Sequence, residues 1–164
     1  MFSKTTCNNY LKRILSRKPD ARAEVAGGTS YPKIRGTVYF YEVSGGVLLM
    51  VSVKGLPHNV DVCKSRIFGF HVHEGAPCTG TAADQFANAG GHYNPHGCEH
   101  PWHAGDLPPL FENRGQAFMV FLTDRFTVRD IIGRTVIIHD MPDNFTSQPS
   151  GDSGMKIACG VIKA

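Results

Sequence analysis

Long apolar runs are missing from this chain of 164 residues. Runs such as Val47 to Val51 are far too short to cross a bilayer, so no membrane span is expected. Charge is also sparse. Asp, Glu, Lys and Arg make up 19% of the residues and the formal net charge is +3, which excludes a disordered, charge-rich chain. That weak positive balance favours attraction of anions. No Lys/Arg stripe or interleaved aromatic motif supports nucleic-acid binding. There is no internal repeat and no low-complexity linker. The 5 Cys are too few for a disulfide scaffold, and the odd number leaves at least one free or paired between chains. The start of the chain lacks an apolar core and a small-residue cleavage site. No secretory signal is therefore expected, and the expected location is the cytoplasm, where a disulfide would be unusual.

The chain is rich in turn formers, with 18 Gly and 10 Pro. Together with short β-branched and aromatic runs, this predicts a single all-β domain. Strands are expected at residues 21–25, 33–43, 47–53, 67–73, 117–122, 135–139 and 157–162. Ser44-Gly45-Gly46 makes a hairpin of the second and third. Two loops, at residues 74–110 and 140–156, are long enough to carry function. The whole reads as an antiparallel β-sandwich or barrel. Before it, residues 1–20 are basic, and Tyr10, Leu11, Ile14 and Leu15 recur at helical spacing. That segment reads as a short amphipathic helix or a frayed arm, or as a surface or partner anchor.

Histidine is the clue to function. Of the 8 His, all but His58 lie between His71 and His139. On a strand, His71 and His73 share one face while Phe70 and Val72 share the other. Gly90 and Gly91 let the backbone turn before His92. His100, His103 and Asp106 offer imidazole and carboxylate ligands suited to zinc, and His92 completes a closed site of four. His71, His73, His92 and His139 offer four imidazoles to copper. His92 can serve both metals, one through each ring nitrogen. Solvated loop histidines without metal are the structural alternative.

These residues resemble the copper/zinc superoxide dismutases. Four stretches carry the resemblance: Gly69-Phe-His-Val-His-Glu74, Gly90-Gly-His-Tyr-Asn-Pro95, His103-Ala-Gly-Asp-Leu107, and Ile132 to His139 with Gly154 to Ile162. The match covers residues 21–164 in the family's order and leaves residues 1–20 outside. It implies a Greek-key β-sandwich with long metal-binding and active-site loops. It also implies an enzyme that disproportionates the superoxide anion to O2 and H2O2 by cycling copper between two oxidation states. By resemblance, His71, His73 and His139 are copper ligands, His92 is the bridging imidazolate, and His100, His103 and Asp106 are zinc ligands. Asp143 matches the carboxylate that links a copper-ligand His to a zinc-ligand His and fixes both rings. Cys78 and Cys159 match the intrasubunit disulfide. A copper donor protein and a homodimer are the implied partners. A copper-binding module of the same fold, without turnover, is the alternative.

The chain also departs from the family. Only two residues separate His100 from His103, and His96 competes with His100 for the zinc place. The stretch from His73 to Cys78 is short and that from Cys78 to His92 is long, a region where the family often forms its dimer contact. Lys156 stands where the family has Arg. It keeps the positive charge that attracts superoxide but loses the planar fork, so a positive funnel around Lys156 with lowered activity is expected. Ser150 stands where the family has a pore-rim Thr. Cys63 and Cys98 have no place in the pattern and are candidates for a second bridge or for free thiols. Asn144-Phe-Thr146 matches a glycosylation acceptor, read as chance without a secretory signal.

Overall fold

The computed structural model describes residues 4–61 and 66–164, with side chains from residue 9 onward. Strands β1 (Ala21–Gly27), β2 (Arg35–Val43) and β3 (Gly46–Lys54) open the domain. β1 alternates buried and exposed residues, with Ala21, Ala23 and Val25 turned inward. This is the period of a strand with one wet face. β2 and β3 pair from Val43↔Gly46 to Arg35↔Lys54. Their tight turn needs left-handed backbone, which Gly45 (φ 96°) and Gly46 (φ 133°) supply.

The expected strand at residues 67–73 is two strands. Ile67–Phe68 (β4) pairs with Leu110–Phe111 (β6), while Phe70–His73 (β5) pairs with Thr135–His139 (β8). Gly69 is the break. Its N–H donates to Met141 O and its carbonyl accepts from His139 N–H, both at 2.8 Å, so Gly69 stays with β8 and the residues just beyond it, while Ile67 and Phe68 turn to β6. β7 (Gln116–Thr123) and β9 (Lys156–Lys163) complete the set. The sheet order is β5-β8-β9-β1-β2-β3-β7, with β4-β6 as a separate pair. All pairings are antiparallel and the sheet curls around one core, a Greek-key-like sandwich. Phe40, Leu49, Phe68, Phe70, Val72, Ile138 and Ile162 fill that core.

Among the described residues, two α-helices flank the sheet. α1 (Lys4–Leu15) lays Ile14, with Leu11 and Leu15, onto Tyr41, Leu48 and Val120. The described part of α1 thus packs on the sheet through Leu11, Ile14 and Leu15. α2 (Val128–Ile131) was not expected from the sequence. It starts on a reciprocal capping box between Thr127 and Asp130. Among the described residues, no helix is long and apolar enough to cross a membrane.

Candidate metal centre

β5 is the floor of the site. Val72 points into the core, which turns His71 and His73 to the opposite face. The chain that carries the other ligands lies along β5. Tyr93 N–H donates to Val72 O at 2.8 Å and Val72 N–H donates to Gly105 O at 2.9 Å. These two bonds set His92 opposite His73 and Asp106 opposite His71. β8 delivers His139 at its end, next to β5.

Two groups of ligand atoms result, each within 4.8 Å: His71, His73, His92 and His139, and His92, His100, His103 and Asp106. His92 belongs to both. All seven residues are buried. His96 is exposed and outside both groups, so His100 takes the place for which the two competed.

Hydrogen bonds fix which nitrogen of each ring is free. His71 Nε2–H donates to Asp143 Oδ2 at 2.8 Å and His100 Nε2–H donates to Asp143 Oδ1 at 2.9 Å. Burial works to raise the Asp143 pKa, but these bonds and the Phe145 N–H outweigh it and bring it to about 2. The carboxylate is ionised and can only accept, so both rings carry their proton on Nε2 and aim Nδ1 inward. His73 and His139 are held the other way round. Their Nδ1–H groups donate to Gly90 O at 2.9 Å and Gly154 O at 3.3 Å. Their Nε2 lone pairs then face each other at 3.2 Å, an approach that calls for a cation between them. His92 Nδ1 lies 2.7 Å from Asp106 Oδ1, and its Nε2 has no partner.

Among the described residues, four further buried ring nitrogens are left without a hydrogen bond: His71 Nδ1, His92 Nε2, His100 Nδ1 and His103 Nδ1. Each such atom costs about 1–3 kcal/mol when left unsatisfied. Burial, together with the neighbouring rings, lowers the pKa of His71 to about 4 and of His139 to about 3, and lowers that of His73 as well. The rings are therefore neutral near pH 7 and offer lone pairs. The donor sets, four imidazoles on one side and three imidazoles with a carboxylate on the other, fit copper and zinc.

The family model for copper/zinc superoxide dismutase matches residues 34–162. The chain belongs to the copper/zinc superoxide dismutase family. It is similar to superoxide dismutase [Cu-Zn] 2 of Aquifex aeolicus, 32% identical over 146 residues that cover 80% of each chain. It is also similar to superoxide dismutase [Cu-Zn] of Deinococcus radiodurans, 29% identical across 90% of this chain and 86% of that one. A third relative, from Paramecium bursaria Chlorella virus 1, is 33% identical across 79% of this chain and 72% of its own. The two clusters match the copper and zinc sites of this oxidoreductase family, with His92 in the bridging place.

A cavity of about 690 Å³ opens onto the dismutase site and is lined by His73, His92, His139, Lys156 and Ser150. Lys156 is not a free charge there. Its Nζ lies 2.7 Å from Asp84 Oδ2, a partner that sequence reasoning missed. Arg125 was also missed. Its Nη1 donates to Pro101 O, His103 O and Asp106 O at 3.1, 3.1 and 3.2 Å, and so braces the turn that carries two zinc-side residues. No local motif marks either one, because both reach across from distant loops. Cys78 and Cys159 form a disulfide with Cα atoms 5.6 Å apart. The bridge considered between Cys63 and Cys98 involves a residue outside those described. Cys98 is exposed and carries no disulfide.

Proposed function

We propose that the chain disproportionates superoxide with copper held by His71 Nδ1, His73 Nε2, His92 Nε2 and His139 Nε2, and zinc held by His92 Nδ1, His100, His103 and Asp106. The observation that carries this reading is the position of His92 between two buried donor sets, one ring nitrogen toward each. Bound copper supplies one-electron chemistry between its two oxidation states, while zinc has none.

The protein's own residues do the rest. Asp143 holds the His71 and His100 rings in the tautomer that leaves their Nδ1 lone pairs free. The Gly90 and Gly154 carbonyls do the same for His73 and His139 through the opposite nitrogen. Two superoxide ions and two protons give O2 and H2O2, so a proton must be supplied at the site. His92 Nε2, buried and without a hydrogen-bond partner, would hold that proton when it does not hold the metal. Lys156, paired with Asp84, is the cationic side chain that an entering anion meets on the cavity wall.

Loading by a copper donor protein and pairing into a homodimer belong to the same proposal. Exposed Phe118 and Leu122 on β7 support the second. The test of function is superoxide decay by stopped flow, with bound copper and zinc measured on the same sample. Decay that scales with bound copper is expected. One tightly bound copper per chain without decay would make the protein a copper-binding module.

A further inference from the structure

Metal ions aside, the side chains of the cavity above the copper-side histidines do not form a positive funnel. Apart from histidine and Tyr31, its ionisable lining is Glu74, Asp84 and Lys156, one cation against two carboxylates. The cation is also engaged. The Lys156 side chain is 17% exposed and its Nζ meets Asp84 Oδ2 at 2.7 Å.

The Asp84 side chain is 40% exposed, yet its turn holds it in place. Its Oδ1 accepts Phe86 N–H at 3.0 Å, its own N–H donates to Thr81 Oγ1 at 3.2 Å, and its carbonyl accepts Thr81 N–H and Ala87 N–H. The turn that carries it is anchored by Phe86 and Ala89, which pack with Ile137 and Cys159. A carboxylate held this firmly stays where an anion approaching Lys156 would have to go.

We propose that Asp84 is a specificity-determining residue of the dismutase. It is a built-in counter-ion that occupies Lys156, so that every entering anion must displace a carboxylate already in place. This rests on the copper site proposed above. The arrangement lowers the gain from electrostatic steering and discriminates against anions that would dwell on Lys156. A lysine suits this role, because one compact ammonium holding one carboxylate oxygen has less left to offer a second anion than a guanidinium fork has.

The test uses the copper- and zinc-loaded protein and azide as the probe anion, with azide affinity read from the copper absorption spectrum. Asp84→Asn is expected to bind azide about threefold or more tighter. Its superoxide rate constant at low ionic strength is expected to rise about two- to threefold and to fall more steeply with salt. Asp84→Glu is expected to restore the behaviour of the parent. Lys156→Met leaves Asp84 uncompensated, so its rate is expected to increase with salt, and adding Asp84→Asn to it should remove that increase. Unchanged azide affinity in Asp84→Asn, or a slower rate with an unaltered salt slope, would overturn the proposal. A parent protein that binds copper but does not consume superoxide would instead overturn the function on which it rests.

Discussion

Replacing Asp143 with Asn keeps the size of the side chain and removes half of its capacity to accept hydrogen bonds. The carboxylate takes three donors: His71 Nε2–H on Oδ2, and His100 Nε2–H and Phe145 N–H on Oδ1. An amide offers one oxygen, and its NH2 must face a donor. With the oxygen kept toward His100 and Phe145, His71 loses its acceptor; flipped, His71 keeps it and the other two donors are stranded. The group cannot back away, because Gly151 stands against it so closely that a Cβ there would lie 1.9 Å from Oδ1. Whichever ring is stranded must shift its proton to Nδ1, the nitrogen that faces the metal. Loss of such a supporting hydrogen bond costs about 10–100-fold in metal affinity, or about 1.4–2.8 kcal/mol. Divalent copper binds nitrogen sites more tightly than zinc, so zinc is the ion lost first. Competition against a chromophoric chelator, for each metal in turn, measures both affinities. Zinc and copper affinities that stay within about twofold of the parent would refute the argument that Asp143 sets the tautomers.

Arg125→Gln removes the donor shared by three carbonyls of the turn from Pro101 to Asp106. It is expected to weaken zinc by about tenfold and to change the visible spectrum of cobalt placed in the zinc site, with copper affinity kept; an unchanged cobalt spectrum would count against it. The disulfide closes a sequence separation of 81 residues, so Cys78→Ser with Cys159→Ser is expected to cost about 4.5 kcal/mol in the loop-entropy model. Urea unfolding of the metal-free protein measures this, and a loss below about 1 kcal/mol would rule that model out here. In the metal-free protein, the folded state holds the His71 pKa near 4 and that of His139 near 3, below the ordinary histidine value. Between about pH 6.5 and 4 the unfolded chain therefore binds more protons than the folded one, and stability is expected to fall with pH by up to about 1.4 kcal/mol per unit for each ring. Below that range Asp143, held near 2, adds its own loss as it protonates on unfolding. A melting temperature that stays flat from pH 7 to 5 would contradict this.

The ligands were legible because their geometry is local. Alternation along β5 alone turns His71 and His73 to one face, and the structure needs only Val72 in the core to make that true. The Gly90 turn before His92 is equally local, with φ at 71°. Where the sequence misled, the partner strand changed within a single run. Residues 67–73 carry an unbroken strand-like pattern, yet Ile67 and Phe68 pair with β6 while Gly69 to His73 stay with β8, which splits them between two sheets. The α2 helix was hidden by its length of 4 residues, too few to show a period.

The residues around the metals were not legible for a different reason, and the reason bears on how this site works. Lys156 reads from its neighbours as a lone cation at the end of the active-site loop. Its charge is balanced by Asp84, 72 residues away, and only closure of the disulfide-tied loop brings the two within 2.7 Å. Arg125 likewise reads as one more basic residue in a turn, although it braces a zinc-side segment 19 to 24 residues before it. The residue types that hold the ions are set by their chemistry and announce themselves. The groups that tune those ions act through field and position, which many residue types can supply from many places in the chain. Differences in rate, anion preference and zinc retention between this chain and its relatives should therefore trace to residues such as Asp84 and Arg125. The seven ligands have little latitude for such change, since each is tied by a ring nitrogen or carboxylate oxygen to a fixed place in the two clusters.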